Sequence, residues 1–144
     1  DFNGAIDDYD QSIKKYDSNS ISEFSSINFL YNAFNNRGNL KSKLKDYKSA
    51  LKDLNTILKI DSEYNAAVAL RAWVNIKLEN YPDAIDDYSK LIAYDLMLKD
   101  SYGNRGFLKE IMQDKEGACS DWQKGGALGN EKASSAFENH CKSV

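Results

Sequence analysis

The sequence predicts an all-α protein assembled from repeated helical hairpins, and three observations support this prediction. The three arginines of the chain, Arg37, Arg71 and Arg105, follow one another at intervals of 34 residues. A strict period of this length is typical of arrays in which each repeat is a pair of helices. The 144 residues include one proline, and no long stretch alternates apolar and polar side chains as a strand would.

The composition limits the classes of protein to which the chain can belong. With 42% hydrophobic and 28% charged residues, it is typical of folded rather than disordered chains. A net charge of −3 and a pI near 5.2 argue against a nucleic-acid-binding protein, which usually carries a basic surface. No apolar run approaches the roughly 18 residues of a membrane span, and no signal peptide is recognisable. Because the chain opens on a helical pattern without an initiator Met, we expect a fragment of a longer protein.

Three windows aligned on the arginines abut without a gap: residues 31–64, 65–98 and 99–132. In every window the eighth position is small, the twentieth is alanine, and the fourth and twenty-fourth are bulky. The small residues are Gly38, Ala72 and Gly106, the alanines are Ala50, Ala84 and Ala118, and the bulky residues are Phe34, Val68, Tyr102, Leu54, Tyr88 and Trp122. Two helices approach closely only where side chains are small, so these positions predict the helix crossing of each hairpin. A single hairpin cannot bury its apolar face alone, and the repeats must therefore stack.

This pattern resembles the tetratricopeptide repeat, in which positions 8 and 20 are small and positions 4, 17 and 24 are large. The sequence departs from the family at position 7, which is arginine rather than leucine, at position 11, which is not aromatic, and at position 32, which is not proline. The resemblance implies a right-handed α-α superhelix, or solenoid, with three full repeats, an N-terminal half repeat and a C-terminal capping helix. We expect one domain over residues 1–144.

The elements follow in order from this alignment. The half repeat covers residues 2–17, and Ala5 takes its position 20. An insert of about residues 18–30 is either a surface excursion or an N-terminal extension of the next helix. The hairpins are predicted at residues 31–44 with 47–60, 64–78 with 81–94, and 98–112 with 115–128. Gly129 ends the last of these helices, and the cap helix follows at residues 130–142.

Position 23 is aspartate in each of the three repeats and in the half repeat, which suggests a role for the arginines. We predict the pairs Arg37–Asp53, Arg71–Asp87 and Arg105–Asp121 across the two helices of each repeat. A planar guanidinium can bind a carboxylate through two hydrogen bonds at a half-buried site, which lysine cannot do. Alternatively, each arginine reaches the aspartate of the preceding repeat, so that Asp8 pairs with Arg37. A row of anion-binding arginines is the functional alternative, and we favour a structural pair.

No catalytic or metal-binding constellation is recognisable. One histidine and two cysteines do not make a zinc set, and His140 with Cys119 lacks the third group of a nucleophile–base system. The sequence contains neither a phosphate-binding glycine loop nor a calcium loop. We expect no enzyme activity and no cofactor. Cys119 and Cys141 either form a disulfide or fill the cap interface as free thiols, and a disulfide would favour an extracytoplasmic over a cytoplasmic location.

The resemblance also implies where a partner binds, because the first helix of each tetratricopeptide hairpin lines a concave groove. Position 9 of these helices holds Asn39, Trp73 and Phe107, and we expect the two aromatic side chains to anchor a peptide or protein segment. The predicted groove residues are Asn35, Asn39, Trp73, Lys77, Phe107 and Glu110. Of the five residues of the chaperone-binding carboxylate clamp, Asn39 alone matches. Alternatively, another segment or a second subunit covers the aromatics, and the chain is a structural or self-associating part of a larger protein without a separate ligand.

Overall fold

The computed structural model describes residues 1–17 and 24–142, apart from the side chains of residues 16, 17 and 24–27. In these ranges all regular structure is α-helical, which confirms the predicted fold class. The helices are α1 (Phe2–Asp17), α2 (Phe24–Lys43), α3 (Tyr47–Ile60), α4 (Asn65–Lys77), α5 (Tyr81–Ala93), α6 (Leu98–Ile111), α7 (Lys115–Ala127) and α8 (Glu131–His140). Among the helices described, none is both long and apolar enough to cross a membrane.

The predicted insert separates into two parts. Helix α2 begins at Phe24, so residues 24–30 extend the first helix of the first full repeat toward its N-terminus. Residues 18–23 of the insert lie outside the described residues. The half repeat is a single helix, α1, and the predicted cap helix is α8.

The turns inside the three hairpins share one backbone conformation. Their central residues, Lys45, Glu79 and Gln113, occupy position 15 of their repeats and have φ near +60°, in the left-handed region. The next residue of each repeat immediately precedes the second helix, and Asp46 and Asp114 cap α3 and α7 by accepting hydrogen bonds from backbone N–H groups three residues later. Asn80 takes the same position before α5, but its side chain makes no capping hydrogen bond. The aspartate at position 16 therefore caps the second helix of the first and third repeats.

The chain divides into two units, residues 1–78 and 79–144. In the first unit, consecutive helices from α1 to α4 pack on one another, and α4 also contacts α2. The core of this unit is a cluster of buried apolar residues from α2, α3 and α4: Tyr31, Ala50, Leu54, Ile57, Ala67 and Val74. A smaller cluster of Ile13, Leu30 and Ala33 joins α1 to α2.

In the second unit, consecutive helices from α5 to α8 pack on one another, and α8 also contacts α6. Its central side chain is Trp122, which is 1% exposed and packs with Ala118 of α7 and with Ala133 and Ala136 of α8. The last helix therefore covers the apolar face of the third repeat, as a solenoid cap does.

Candidate functional site

Arg37 joins three helices of the first unit. Its Nε and Nη2 donate to the two carboxylate oxygens of Asp53 at 2.9 and 2.6 Å, and its Nη1 donates to Asp10 of α1. Asp53 is 3% exposed and also lies 2.9 Å from the Nζ of Lys41. A guanidinium carries N–H donors on three nitrogens that point in different directions, which allows this one side chain to bind its own hairpin and the preceding helix together.

The second unit repeats this arrangement. Arg105 donates from Nε and Nη2 to both oxygens of Asp121, at 2.8 and 2.7 Å, and from Nη1 to the hydroxyl of Ser89 at 2.9 Å. Lys109 takes the place of Lys41, with its Nζ 2.9 Å from Asp121. Burial acts to raise the pKa of Asp121, but hydrogen bonds from Arg105 and Lys109 outweigh it and hold the pKa below its usual value. The buried carboxylate is therefore ionised and paired.

The Nη1 atom of each arginine donates to a residue at the same repeat position, a pattern that was not predicted from the sequence. Asp10, Asn55 and Ser89 all occupy position 25 of the repeat that precedes their arginine, and Arg71 donates to Asn55 at 2.9 Å. The alternative in which Arg37 reaches Asp8 is wrong, because Asp8 is exposed and Asp10 takes the contact. The pair of Arg71 with Asp87 would connect the two units and stays a prediction.

These contacts decide between the two interpretations of the arginines in the described units. The guanidinium donors of Arg37 and Arg105 are satisfied by carboxylate and hydroxyl oxygens of the same unit. Both side chains are half-buried. They are not available to a free anion, and their position favours a role in joining consecutive repeats.

Of the two aromatic residues predicted to anchor a partner, Trp73 is the exposed one. It lies on α4, is 39% exposed, and meets the ring of Tyr47 edge-on with 5.8 Å between ring centroids. The Nζ of Lys77, one turn later on α4, lies 5.2 Å from the centre of the indole. These two neighbours hold the indole in one orientation on the surface of the first unit.

A second lysine lies beside an aromatic ring at the equivalent place one repeat earlier. The Nζ of Lys43, on α2, is 5.8 Å from the ring centre of Phe2, which is 47% exposed. Lys43 and Lys77 share position 13 of their repeats, and Phe2 and Tyr47 share position 17.

Asn35 and Asn39 lie half-buried on α2. The side-chain oxygen of Asn35 is buried and has no hydrogen-bond partner within the described part of the chain. The carbonyl of Asn39 accepts a hydrogen bond from the Ser42 hydroxyl at 2.7 Å. Both asparagines thus belong to the first unit, on the helix that α4 contacts.

Phe107 and Glu110 are engaged by the cap helix rather than open to a ligand. The ring of Phe107 is half-buried, lies 5.2 Å from Trp122, and packs against the cluster that α8 completes. The Oε1 of Glu110 lies 3.1 Å from the Nδ1 of His140, on α8. Phe107 therefore does not stand free as Trp73 does. Since Trp73 and Phe107 belong to different units, a groove that contains both stays a prediction.

The cap helix is also tied covalently. The structure places a disulfide between Cys119 of α7 and Cys141 at the end of α8, with Cα atoms 5.8 Å apart. A small pocket beside it is lined by Glu110, Lys115, Trp122 and His140, among others. Among the described residues, no cluster of three or more histidine, cysteine or acidic side chains could hold a metal ion.

A curated protein resembles part of this chain in sequence. No family model matches the chain. Serine/threonine-protein phosphatase T of Aspergillus oryzae is 34% identical over 89 residues, a stretch that makes up 62% of this chain. The match spans 16% of the phosphatase, so its activity is not carried over.

Comparison with solved structures covers nearly the whole chain. A tetratricopeptide repeat protein from Parabacteroides merdae aligns with a TM-score of 0.78 at 18% identity, over 92% of this chain and 50% of its own. MamA aligns with a TM-score of 0.73 at 18% identity, over 97% of this chain and 86% of its own. The second such domain of human RPAP3, solved with the HSP70 peptide SGPTIEEVD, aligns with a TM-score of 0.70 at 21% identity, over 81% of this chain and 98% of its own. The chain therefore has the fold of tetratricopeptide repeat proteins.

Proposed function

We propose that the chain is a non-catalytic interaction module that binds a peptide or protein segment on its first unit, at the face of α4 that carries Trp73. One observation carries the proposal: a tryptophan that is 39% exposed lies on a helix whose other large apolar side chains are buried or half-buried. Tryptophan is strongly enriched among the side chains that dominate binding energy at protein interfaces. A tryptophan exposed without a ligand does not stabilise the fold, and exposed apolar surface favours aggregation.

The surroundings of Trp73 suit an anchor that is ready before the ligand arrives. Tyr47 and Lys77 fix the indole, so little rotamer freedom remains to be lost on binding. Ala66 and Ala69, on the preceding turns of α4, are small and leave room for a ligand side chain beside the ring. Asn39 on α2 is half-buried and offers its side-chain amide to a peptide backbone.

Fold alone does not establish this function. Two further observations support it. The RPAP3 domain, which has the same fold, was solved with a bound peptide. In this chain Cys119 is held in a disulfide and His140 is paired with Glu110, which removes the thiolate that a nucleophile–base pair would need.

The test is capture of a partner from lysate of the producing cells with the wild type, Trp73→Ala and Ile60→Ala as baits. Ile60 is 56% exposed at the C-terminal end of α3, whereas Tyr47, which contacts Trp73, lies at the N-terminal end of that helix. Its substitution therefore removes an exposed apolar side chain of the same unit at the other end of α3. We expect one partner to be retained by the wild type and by Ile60→Ala and lost by Trp73→Ala, with the loss repeated when the purified partner segment is titrated by calorimetry. A partner that binds all three baits equally would contradict the proposal. If Trp73→Ala instead dissociates a homodimer of the chain in sedimentation, self-association replaces it.

A further inference from the structure

We propose that the disulfide between Cys119 and Cys141 is a site of reversible thiol exchange that controls the cap helix. In the oxidised chain α8 covers the third repeat, and reduction by a dithiol releases α8 and uncovers the apolar face around Trp122. This inference concerns the second unit alone and does not depend on the proposed function, since Trp73 lies in the first unit.

A thiol can reach the disulfide from solvent. Cys119 and Cys141 are both half-buried, and Cys119 lines a pocket of about 110 Å³ together with Glu110, Lys115 and His140. This volume is several times the roughly 10–15 Å³ that one water molecule needs. Lys115 and His140 are exposed, so the pocket opens to solvent at charged and polar side chains. Accessible disulfides are the ones that act as labile or regulatory bonds.

Thiol exchange at this site needs a dithiol and no further reactant. One thiolate of the dithiol enters the pocket and attacks the Sγ of Cys119, the cysteine that lines it. The S–S bond breaks, its electron pair passes to the Sγ of Cys141, and this thiolate takes up a proton. The second thiol of the reductant then attacks the mixed disulfide, which releases Cys119 as a thiol and leaves the reductant oxidised to its own disulfide. The ammonium of Lys115, four residues before Cys119 on α7, attracts the attacking thiolate.

Helix α8 has little apolar surface of its own to keep it docked. It has 10 residues, and its buried side chains are Ala133 and Ala136, with Phe137 half-buried. An isolated helix shorter than about 12–15 residues is marginal in water. Two methyl groups and part of one ring remove little apolar area from solvent. The docked position of α8 therefore depends on polar contacts and on the disulfide.

The two ends of α8 are held by different kinds of contact. At the N-terminus, Asn130 accepts the backbone N–H of Ala133 at 3.0 Å and donates to the carbonyl oxygen of Lys99 at 3.0 Å, which ties the helix to the start of α6. At the C-terminus, the disulfide is accompanied by the contact of His140 with Glu110, whose side chains are 56% and 37% exposed. Ion pairs at such exposed positions contribute little stability. Reduction therefore frees the C-terminal end, and α8 swings away about Asn130.

The face beneath α8 is apolar. Trp122 is 1% exposed and clusters with Ala118 of α7 and with Ala133 and Ala136 of α8, and Phe107 of α6 packs against this cluster. The Nε1 of Trp122 is buried and has no hydrogen-bond partner within the described residues. A buried donor without an acceptor destabilises the docked state. The exposed residues of α8 are all polar or charged, so the state of the disulfide decides whether a polar helix or an apolar face meets solvent.

The experiment follows hydrogen exchange of the whole chain by mass spectrometry, first with the disulfide intact and then with dithiothreitol as the dithiol. The mass after alkylation of free thiols verifies the oxidation state in each sample. We expect the amide protons of α8 to exchange at least about tenfold faster after reduction, while those of α5 change less than about threefold. Helix α5 is the internal control because it packs on α6 rather than on α8. Reoxidation should restore the protection of α8.

A second readout follows Trp122 itself. In the Trp73→Phe variant Trp122 is the remaining tryptophan, and acrylamide quenching of its fluorescence measures access to the indole. We expect quenching to increase severalfold on reduction. The double variant Cys119→Ser with Cys141→Ser, made in the same background, should show the quenching of the reduced chain whether or not dithiothreitol is present.

Two charge variants test the route of the thiol. Lys115→Glu replaces an attractive charge at the pocket by a repulsive one, and we expect it to slow reduction by dithiothreitol about threefold or more. Lys132→Glu is the matched control, because it changes the net charge equally at an exposed position near the other end of α8. It should change the rate less than about twofold.

Several results would overturn the inference. The first is an α8 that stays protected after complete reduction, and the second is a disulfide that dithiothreitol does not reduce in the folded chain. Equal loss of protection in α5 and α8 would show that the disulfide stabilises the whole second unit rather than controlling its cap. Equal rates of reduction for Lys115→Glu and Lys132→Glu would overturn the pocket as the route of the thiol.

Discussion

The glycines at position 8 provide a paired test of the packing, because the structure assigns them opposite requirements. A Cβ added at Gly106 would lie 2.6 Å from Trp122 Cδ1, 2.7 Å from Nε1 and 3.2 Å from the Ala118 carbonyl oxygen. A Cβ added at Gly38 would find its nearest atom, Leu54 Cγ, at 3.5 Å, which is an ordinary contact. We therefore compare Gly106→Ala with Gly38→Ala, which make the same chemical change at the same position of two repeats.

The expected magnitudes follow from two opposing effects. Replacing glycine by alanine inside a helix stabilises it by about 1 kcal/mol, and both variants gain this. Gly106→Ala also forces Trp122 to move, and this ring is 1% exposed and enclosed by α7 and α8. Overpacking of this kind costs about 1–3 kcal/mol. Gly38→Ala should therefore stabilise the chain, and the free energy of unfolding of Gly106→Ala should lie below that of Gly38→Ala by about 1–3 kcal/mol.

Urea unfolding followed by far-ultraviolet circular dichroism measures both variants against the wild type, with the disulfide intact in all three. Near-ultraviolet dichroism of the tryptophans reports whether the environment of Trp122 has changed. If both substitutions stabilise the chain equally, the contact between Gly106 and Trp122 is not as the structure describes, and the reasoning is refuted.

Three further predictions concern the second unit. Arg105→Lys removes the two-point contact with buried Asp121 and the bond to Ser89, so it should destabilise the chain by about 1–3 kcal/mol in urea unfolding, and a neutral effect would show that the guanidinium geometry is dispensable. Because the folded-state pKa of Asp121 is lowered, the stability that this carboxylate contributes is present above its unfolded pKa of about 4 and is lost as pH falls through the lower folded value. Asp121→Asn should therefore reduce the fall in the free energy of unfolding at acid pH, and an unchanged fall would contradict the assignment. Reduction of the disulfide between Cys119 and Cys141, which are 22 residues apart, should lower the free energy of unfolding by about 3 kcal/mol in urea with dithiothreitol, and no change would show that the cap helix docks without it.

The 34-residue spacing of the arginines carried enough information to predict the fold. Position 8, position 20 and the bulky residues at positions 4 and 24 report the helix crossing directly, since close packing leaves few alternatives there. The turn residues at position 15 were not predicted from sequence. Lysine, glutamate and glutamine adopt the left-handed conformation at Lys45, Glu79 and Gln113, where glycine is the usual signal. The aspartate or asparagine that follows each of them in the sequence is typical of the position before a helix and could have indicated the turn.

The partners of the arginines were predicted less completely. The aspartates at position 23 recur in every repeat and could be recognised in the sequence. Asp10, Asn55 and Ser89 differ in chemistry and share only their repeat position and an oxygen acceptor. Predicting such contacts between repeats requires the register between neighbouring helices, and the spacing of residues in the sequence does not give that register. The lysines at position 11 were not predicted to pair with the aspartates at position 23. The sequence shows that they replace the usual aromatic residue, but it does not show where the ammonium group of a flexible lysine lies.

The aromatic residues at position 9 show a different limit. Trp73 and Phe107 are equivalent in the repeat, yet Phe107 packs on Trp122 beneath the cap helix while Trp73 remains 39% exposed. The cap helix causes this difference, because α8 contacts α6 as well as α7. An alignment of repeats treats the last repeat like the others and therefore does not predict the contact between Phe107 and the cap.

The central claim is that the face carrying Trp73 binds a partner segment. The chain contains two tryptophans, one 39% exposed and one 1% exposed, so a proton–nitrogen correlation spectrum contains an indole signal for the site and an internal reference. The measurement is a titration of the labelled chain with the purified partner segment. We expect the Trp73 indole signal to shift saturably, with the Kd found by calorimetry, while the Trp122 signal stays in place. A ligand that binds with the same Kd and leaves the Trp73 signal unmoved would contradict the account.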